Sequence, residues 1–217
     1  CDDRGACCYI RDVASGAFWS VAHQPTRRRP TSYEAILSEG RVEFRRRDEV
    51  EPGGEIETYT EIVVSPEDDI ELRRVELHNT SAQTMTVDVV SMWEVSLLGS
   101  RTDEAHPAFA NLFVSADWDG ADQALYLVRK PHVDGQDAVH AVHFIAHTNQ
   151  PLVRVRAQAD RAAWLGRNRD AAHPRAHHGA AQPGAAQAVA GSLQVPITPP
   201  SFLVITMVAE RGRLPAP

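Results

Sequence analysis

Most of the chain alternates apolar with polar residues at a period near two, and no long stretch carries the 3.6-residue period of a helix. Half-buried strands follow from that pattern. In "EIETYTEIVVSPEDD" one face carries Ile56, Thr58, Thr60, Ile62 and Val64, the other carries Glu57, Tyr59 and Glu61, and "SPEDD" closes the run as a turn. The next stretch reads as a hairpin: Ile70 to His78 rises, Asn79 to Gln83 turns, and the chain returns through Met85, Val87 and Val89. Its phase shifts between Leu72 and Val75, which predicts either a bulge near Arg73 and Arg74 or a strand covered on both faces. Further strands are expected at 42–47, 110–116, 124–129, 138–146 and 202–209, the last returning to a sheet edge. Many strands separated by Gly, Asp and Pro, without alternating helices, predict an all-β antiparallel sandwich.

With 217 residues, 43% of them hydrophobic, the chain can bury a sizeable core. A formal net charge of -7 lacks the basic surface that phosphate backbones require, so nucleic acid is not an expected partner. The best apolar run, 202–208, falls well short of the roughly 18 residues of a membrane span, so no membrane contact by this segment is expected. The three cysteines, Cys1, Cys7 and Cys8, crowd one end without zinc or disulfide spacing, as in a reducing compartment. A first residue that is not Met and a last stretch "ERGRLPAP" that reads as a cut make a fragment of a longer protein the expectation.

After Arg169 the composition changes. Residues 170–200, rich in Ala, His, Pro and Gly, read as a loop or disordered insertion, and 201–217 as a last strand with a truncated end. Residues 1–169 hold the expected sandwich core.

No catalytic set stands out: there is no G-x-S-x-G elbow, P-loop or G-x-G-x-x-G. No catalytic residue, cofactor or metal ligand is assigned. His140, His143 and His147 cluster, but on a strand His140 faces away from the other two, so they do not converge on one metal. Of the four tryptophans, core packing claims some, while Trp19 and Trp164, flanked by polar residues and Gly, are the candidates to stack on sugar rings.

Six segments then follow in order: "DDRGACCYIRD" at 2–12, "SGAFWS" at 15–20, "SPEDDIELRRVELHNTS" at 65–81, "HPAFANLFV" at 106–114, "RKP" at 129–131 and "DRAAWLGR" at 160–167. Together they resemble the cyclic β-1,2-glucan synthases, in the region related to glycoside hydrolase family 94, the cellobiose and related disaccharide phosphorylases. The resemblance implies a large antiparallel β-supersandwich, similar to the galactose mutarotase fold, beside a separate (α/α)6 barrel that holds the catalytic carboxylate and is absent here. It also implies a non-catalytic domain that shapes the glucan cleft and braces that barrel. The implied partners are a β-glucan or oligosaccharide and the barrel of the same polypeptide. The implied location is cytoplasmic, at the inner membrane as part of a larger membrane-bound synthase.

Within the matching segments, Arg11 and Asp12 and, later, Leu165, Gly166 and Arg167 either rim a sugar cleft or hold loops by charge-assisted hydrogen bonds. His106 starts a corner in which Pro107 sets the turn and Phe109, Leu112 and Phe113 pack, and it is a candidate polar contact at the domain interface. After Arg169 the family pattern continues with Leu-Asp-Pro and a regular strand, which this chain lacks in recognisable form. Two other readings stay open: an independent carbohydrate-binding module, and a mutarotase-like epimerase that needs an acid and a base on one concave face, such as His143 with Glu61 or Glu94. A sandwich without its barrel is expected to expose an apolar surface and to self-associate.

Overall fold

The computed structural model describes residues 5–50, 53–105, 112–131, 137–147, 154–174, 184–185, 189–197 and 202–212. In chain order the strands are β1 (Ala6–Asp12), β2 (Phe18–Ser20), β3 (Ser32–Ser38), β4 (Arg41–Val50), β5 (Gly54–Val64), β6 (Ile70–Asn79) and β7 (Met85–Trp93). Helix α1 (Ser100–Ala105) and strands β8 (Val114–Asp119), β9 (Ala124–Arg129), β10 (Val139–His147) and β11 (Arg154–Gln158) follow. Helix α2 (Arg161–Leu165), β12 (Gly184–Ala185), β13 (Val189–Ile197) and β14 (Phe202–Gly212) complete the described elements.

They form two antiparallel sheets. The smaller has five strands in the order β11-β13-β7-β1-β2, and the larger has nine, β12-β8-β9-β10-β14-β6-β5-β4-β3. The period-two reading of β5 survives in its burial: Ile56, Thr58 and Thr60 point into the sandwich, while Glu57, Tyr59 and Glu61 lie half-exposed on the outer face.

The expected hairpin at 70–93 does not form. β6 pairs with β5 and β14 in the larger sheet, whereas β7 pairs with β1 and β13 in the smaller one. The connection crosses between layers, tied where Asn79 Nδ2 donates to the Gln83 carbonyl at 2.8 Å. The reason is that both strands carry an apolar face. Val75 and Leu77 of β6 meet Met85, Val87 and Val89 of β7 in one core cluster, which requires stacking face to face rather than lying side by side.

No bulge explains the phase shift in β6 either, because its register with β5 runs without interruption from Ile56↔Asn79 to Val64↔Glu71. Leu72 is simply exposed, and Arg73 takes the inward position and donates across to the Ala6 carbonyl at 2.6 Å.

β7 is the strand covered on both faces. Its inner side joins the sandwich core, and its Val90 and Met92 pack outward against Tyr9, Trp164 and Leu165. A second inner cluster, built on Val95, Leu97, Val114, Leu125, Leu127 and Ala157, fills the other half of the sandwich.

Three corrections concern the second half of the chain. Within the stretch read as a loop or insertion, Val189–Ile197 is a strand, and it lies inside the smaller sheet between β11 and β7. β14 is interior to the larger sheet, flanked by β10 and β6, rather than at an edge. The expected strand at 110–116 begins at Val114, with residues 106–111 outside the described set. Gly191, Ser192 and Pro196 interrupt the apolar residues of β13 and hid its strand pattern, but the backbone ladder that holds such a strand is available to any residue with an amide.

Thr58 and Thr60 are buried in this core, and neither hydroxyl has a hydrogen-bond partner among the described residues. Thr60→Val keeps the branched shape and removes an orphaned hydroxyl, so it raises stability by about 1 kcal/mol. The urea midpoint reads this directly, and a lower midpoint for Thr60→Val overturns the assignment.

Candidate functional site

At one end of the sandwich three turns enclose an open cleft of about 860 Å³. The β1–β2 turn supplies Ser15, Gly16 and Ala17, the β4–β5 turn supplies Glu49, Val50, Gly53, Gly54 and Glu55, and the link from β6 to β7 supplies Thr80, with Arg28 completing the wall.

Each wall is fixed by residues beneath it. Asp12, buried at the end of β1, accepts from the Ser15 amide at 2.9 Å, from the Ala14 amide at 3.3 Å and from the Ser15 hydroxyl. Gly16, at φ +73°, lets the turn close with its amide on the Asp12 carbonyl. The second wall needs Gly54, since a Cβ there would lie 2.3 Å from Ser81 Cβ. Thr80 then donates its hydroxyl to the Glu55 carbonyl at 2.8 Å.

Arg28 is held from below and from the side. Its guanidinium lies 4.9 Å from the centre of the Trp19 ring, and Nη2 donates to the Glu49 carbonyl at 3.0 Å. Its own carbonyl accepts from Arg46 Nη2 at 2.9 Å. Arg46 in turn is clamped by Asp48, with Nε to Oδ2 at 2.6 Å and Nη2 to Oδ1 at 2.8 Å. The cleft thus presents a positioned cation, carboxylates, hydroxyls and main-chain groups. That balance suits a ligand rich in hydroxyls better than one of a single charge.

The residues singled out in the sequence are dispersed. Asp12 and Trp19 underlie the cleft without lining it. Arg11 points to the opposite face of the smaller sheet, where Nη1 donates to Asp88 Oδ2 at 3.2 Å. Trp164 packs on that same outer face, its Nε1 donating to Met92 Sδ at 3.1 Å.

Trp19 is 0% and Trp164 4% exposed, so neither offers a ring to a sugar as expected. The Gly and polar neighbours that pointed to exposure belong to turns flanking the rings, not to their surroundings. Asp160 caps α2 through the amides of Ala162 and Ala163, Gly166 at φ 84° ends it, and Arg167 beyond is exposed. His106 lies outside the described residues.

The acid-base pair required of an epimerase does not assemble. His143 is buried inside the sandwich, its ring 6.2 Å from that of Trp93, whereas Glu61 sits on the outer face of the same sheet with Arg41 at 3.2 Å. Glu94 is bound to Arg161 at 2.8 Å. Nor do the described cysteines, Cys7 and Cys8, offer a nucleophile: burial raises the Cys7 thiol and pushes Cys8 up to about 12. Among the described residues no three His, Cys, Asp or Glu side chains converge as a metal site.

Arg28, Glu49, Glu55 and Thr80 were not singled out from the sequence. The sequence signalled only some of their turns: Gly53 and Gly54 lie between Glu49 and Glu55, and the expected turn at Asn79 to Gln83 carries Thr80.

Two stacked antiparallel sheets of five and nine strands define the class of this chain, a β-supersandwich. The family model "Glycosyl hydrolase 94, supersandwich domain" matches residues 1–198, and the chain belongs to that family. It is 26% identical over 168 residues to the cyclic beta-(1,2)-glucan synthase NdvB of Rhizobium meliloti (strain 1021), a match that spans 77% of this chain and 6% of that protein. Among solved structures it superposes on a putative kojibiose phosphorylase from the human microbiome with a TM-score of 0.55 at 8% identity, covering 95% of this chain and 22% of the other. The chain therefore corresponds to a small part of the length of these relatives. No helix among the described residues is long and apolar enough to cross a membrane.

Proposed function

We propose that this chain is the non-catalytic, saccharide-contacting supersandwich of a larger glucan-forming or phosphorolytic enzyme. It braces a catalytic (α/α)6 barrel of the same polypeptide on the cytoplasmic side of a membrane and contributes the end cleft to glucan binding. Family membership and the relation to a glucan synthase support the reading. The observation that carries it is Arg28, stacked on Trp19 and bonded to Glu49 so that its guanidinium is set in place before any ligand arrives. A donor ordered in advance loses little rotamer freedom on binding a hydroxyl-rich ligand.

Calorimetric titration with linear β-1,2-glucan, with cellobiose and a β-1,3-glucan as controls, tests the reading. Saturable heat with the first ligand alone is expected, and Arg28→Ala weakens it by about tenfold, the value of one charge-assisted hydrogen bond. Heat unchanged by Arg28→Ala places binding away from the cleft. No heat from folded protein leaves the chain a brace for the barrel and removes its saccharide contact.

A further inference from the structure

Among the described residues, the strands at three sheet edges are short: two residues in β12, three in β2 and five in β11. β3, which ends the larger sheet, is seven residues long. An edge strand presents unpaired N–H and C=O groups, and proteins usually blunt such edges with Lys, Pro or a bulge. β3 contains none of these. Its register with β4 is unbroken from Ser32↔Arg47 to Ser38↔Arg41, and its one charge, Glu34, is paired to Arg45 at 3.6 Å. All of its residues except Ile36 are exposed, Leu37 at 78%.

The sequence of β3, Ser-Tyr-Glu-Ala-Ile-Leu-Ser, is self-complementary about Ala35. When a second copy runs antiparallel with Ala35 opposite Ala35, Tyr33 of each copy meets Leu37 of the other, Glu34 meets Ile36, and Ser32 meets Ser38. No like charges come face to face, and the aromatic-aliphatic pairs are of the kind that stabilise adjacent strands. Tyr33 is already held for that contact by stacking on Phe44, with ring centres 6.1 Å apart at 19°. The register places Tyr33, Ala35 and Leu37 on the face shared with Phe44 and Val42, the inner face, where Leu37 and Val64 remain open to solvent.

We propose that β3 is a dimerisation edge, on which a second copy of this chain pairs its own β3 antiparallel across a two-fold axis at Ala35. The axis stands normal to the sheet. Both inner faces therefore lie on one side, and the two larger sheets become continuous. Because the interface is isologous, it closes at two copies. This follows from the edge strand alone and does not depend on saccharide binding.

Sedimentation velocity at micromolar concentrations tests it. The wild-type chain shows a monomer–dimer equilibrium, and Ala35→Lys and Ala35→Asp each weaken the dimer by at least about tenfold, since each sets like charges directly opposite. Mixing the two variants in equal amounts restores a heterodimer. Ala35→Cys, a small change at an exposed position, gives a dimer under mild oxidation whose disulfide maps to residue 35 on both chains. A wild-type chain that stays monomeric, a dimer indifferent to Ala35→Lys, a mixture that fails to associate, or no residue-35 cross-link overturns the proposal.

Discussion

Asp48→Ala lowers the folding free energy by about 3–5 kcal/mol. Arg46 and Asp48 stand two residues apart on β4, so their side chains share its inner face, where they are 0% and 1% exposed. The pair is bidentate, and Arg46 also donates to the carbonyls of Arg28 and Ala22. Removing the carboxylate leaves a guanidinium buried without its counter-charge, which costs far more than the pair itself contributes.

Two controls separate that explanation from a general intolerance of β4 to substitution. The exposed pair of Arg45 on β4 with Glu34 on the neighbouring β3 has 60% and 59% side-chain exposure, and Arg45→Ala is expected to cost no more than about 1 kcal/mol. Replacing both buried partners, as Arg46→Met with Asp48→Leu, recovers most of the loss because no charge is left stranded. Urea unfolding of the three variants reads each value. An Asp48→Ala protein within about 1 kcal/mol of wild type sinks the argument, since it means the guanidinium finds water or another partner. The same variant loosens the Arg28 main chain, so the saccharide binding proposed for the cleft is expected to fall along with stability.

Trp19→Ala has an effect of similar size, about 3–5 kcal/mol. The ring belongs to the core cluster with Cys8, Ile10, Val21 and Ile56, and truncating it leaves a cavity that two packed sheets collapse only in part. Arg28 also loses the surface on which it rests. Trp19→Phe retains much of the packing and separates the two consequences: stability stays near wild type while the narrower ring supports Arg28 less well. A ligand platform behaves differently. Were Trp19 stacked on sugar, Trp19→Ala would abolish binding and leave the unfolding midpoint almost unchanged.

The candidate site was only partly legible, and Asp12 and Trp19 show why. Both lie in segments that resemble the family, and both turned out to support the cleft from beneath rather than line it. A motif marks a residue as constrained, but the same side chain is constrained whether it touches a ligand or holds a turn. Arg28, Glu49, Glu55 and Thr80 belong to three separate turns, and nothing in their local sequence links them. Their meeting is a property of how the turns stack at the end of the sandwich.

Alternation of apolar and polar residues was enough to show that the chain is built of antiparallel strands, and in β5 which residues face the core, because a pleated strand has a period of two and an apolar face must be buried. Which sheet each strand joins was set by packing between the layers. β6 and β7 looked like partners and became opposite layers, and β13 looked like a loop and became an inner strand. The physical reason is that hydrophobic burial is proportional to area and has no direction. Alternation specifies that a face will be covered, but any apolar surface can cover it, and the backbone hydrogen bonds that choose the neighbour are the same for every residue.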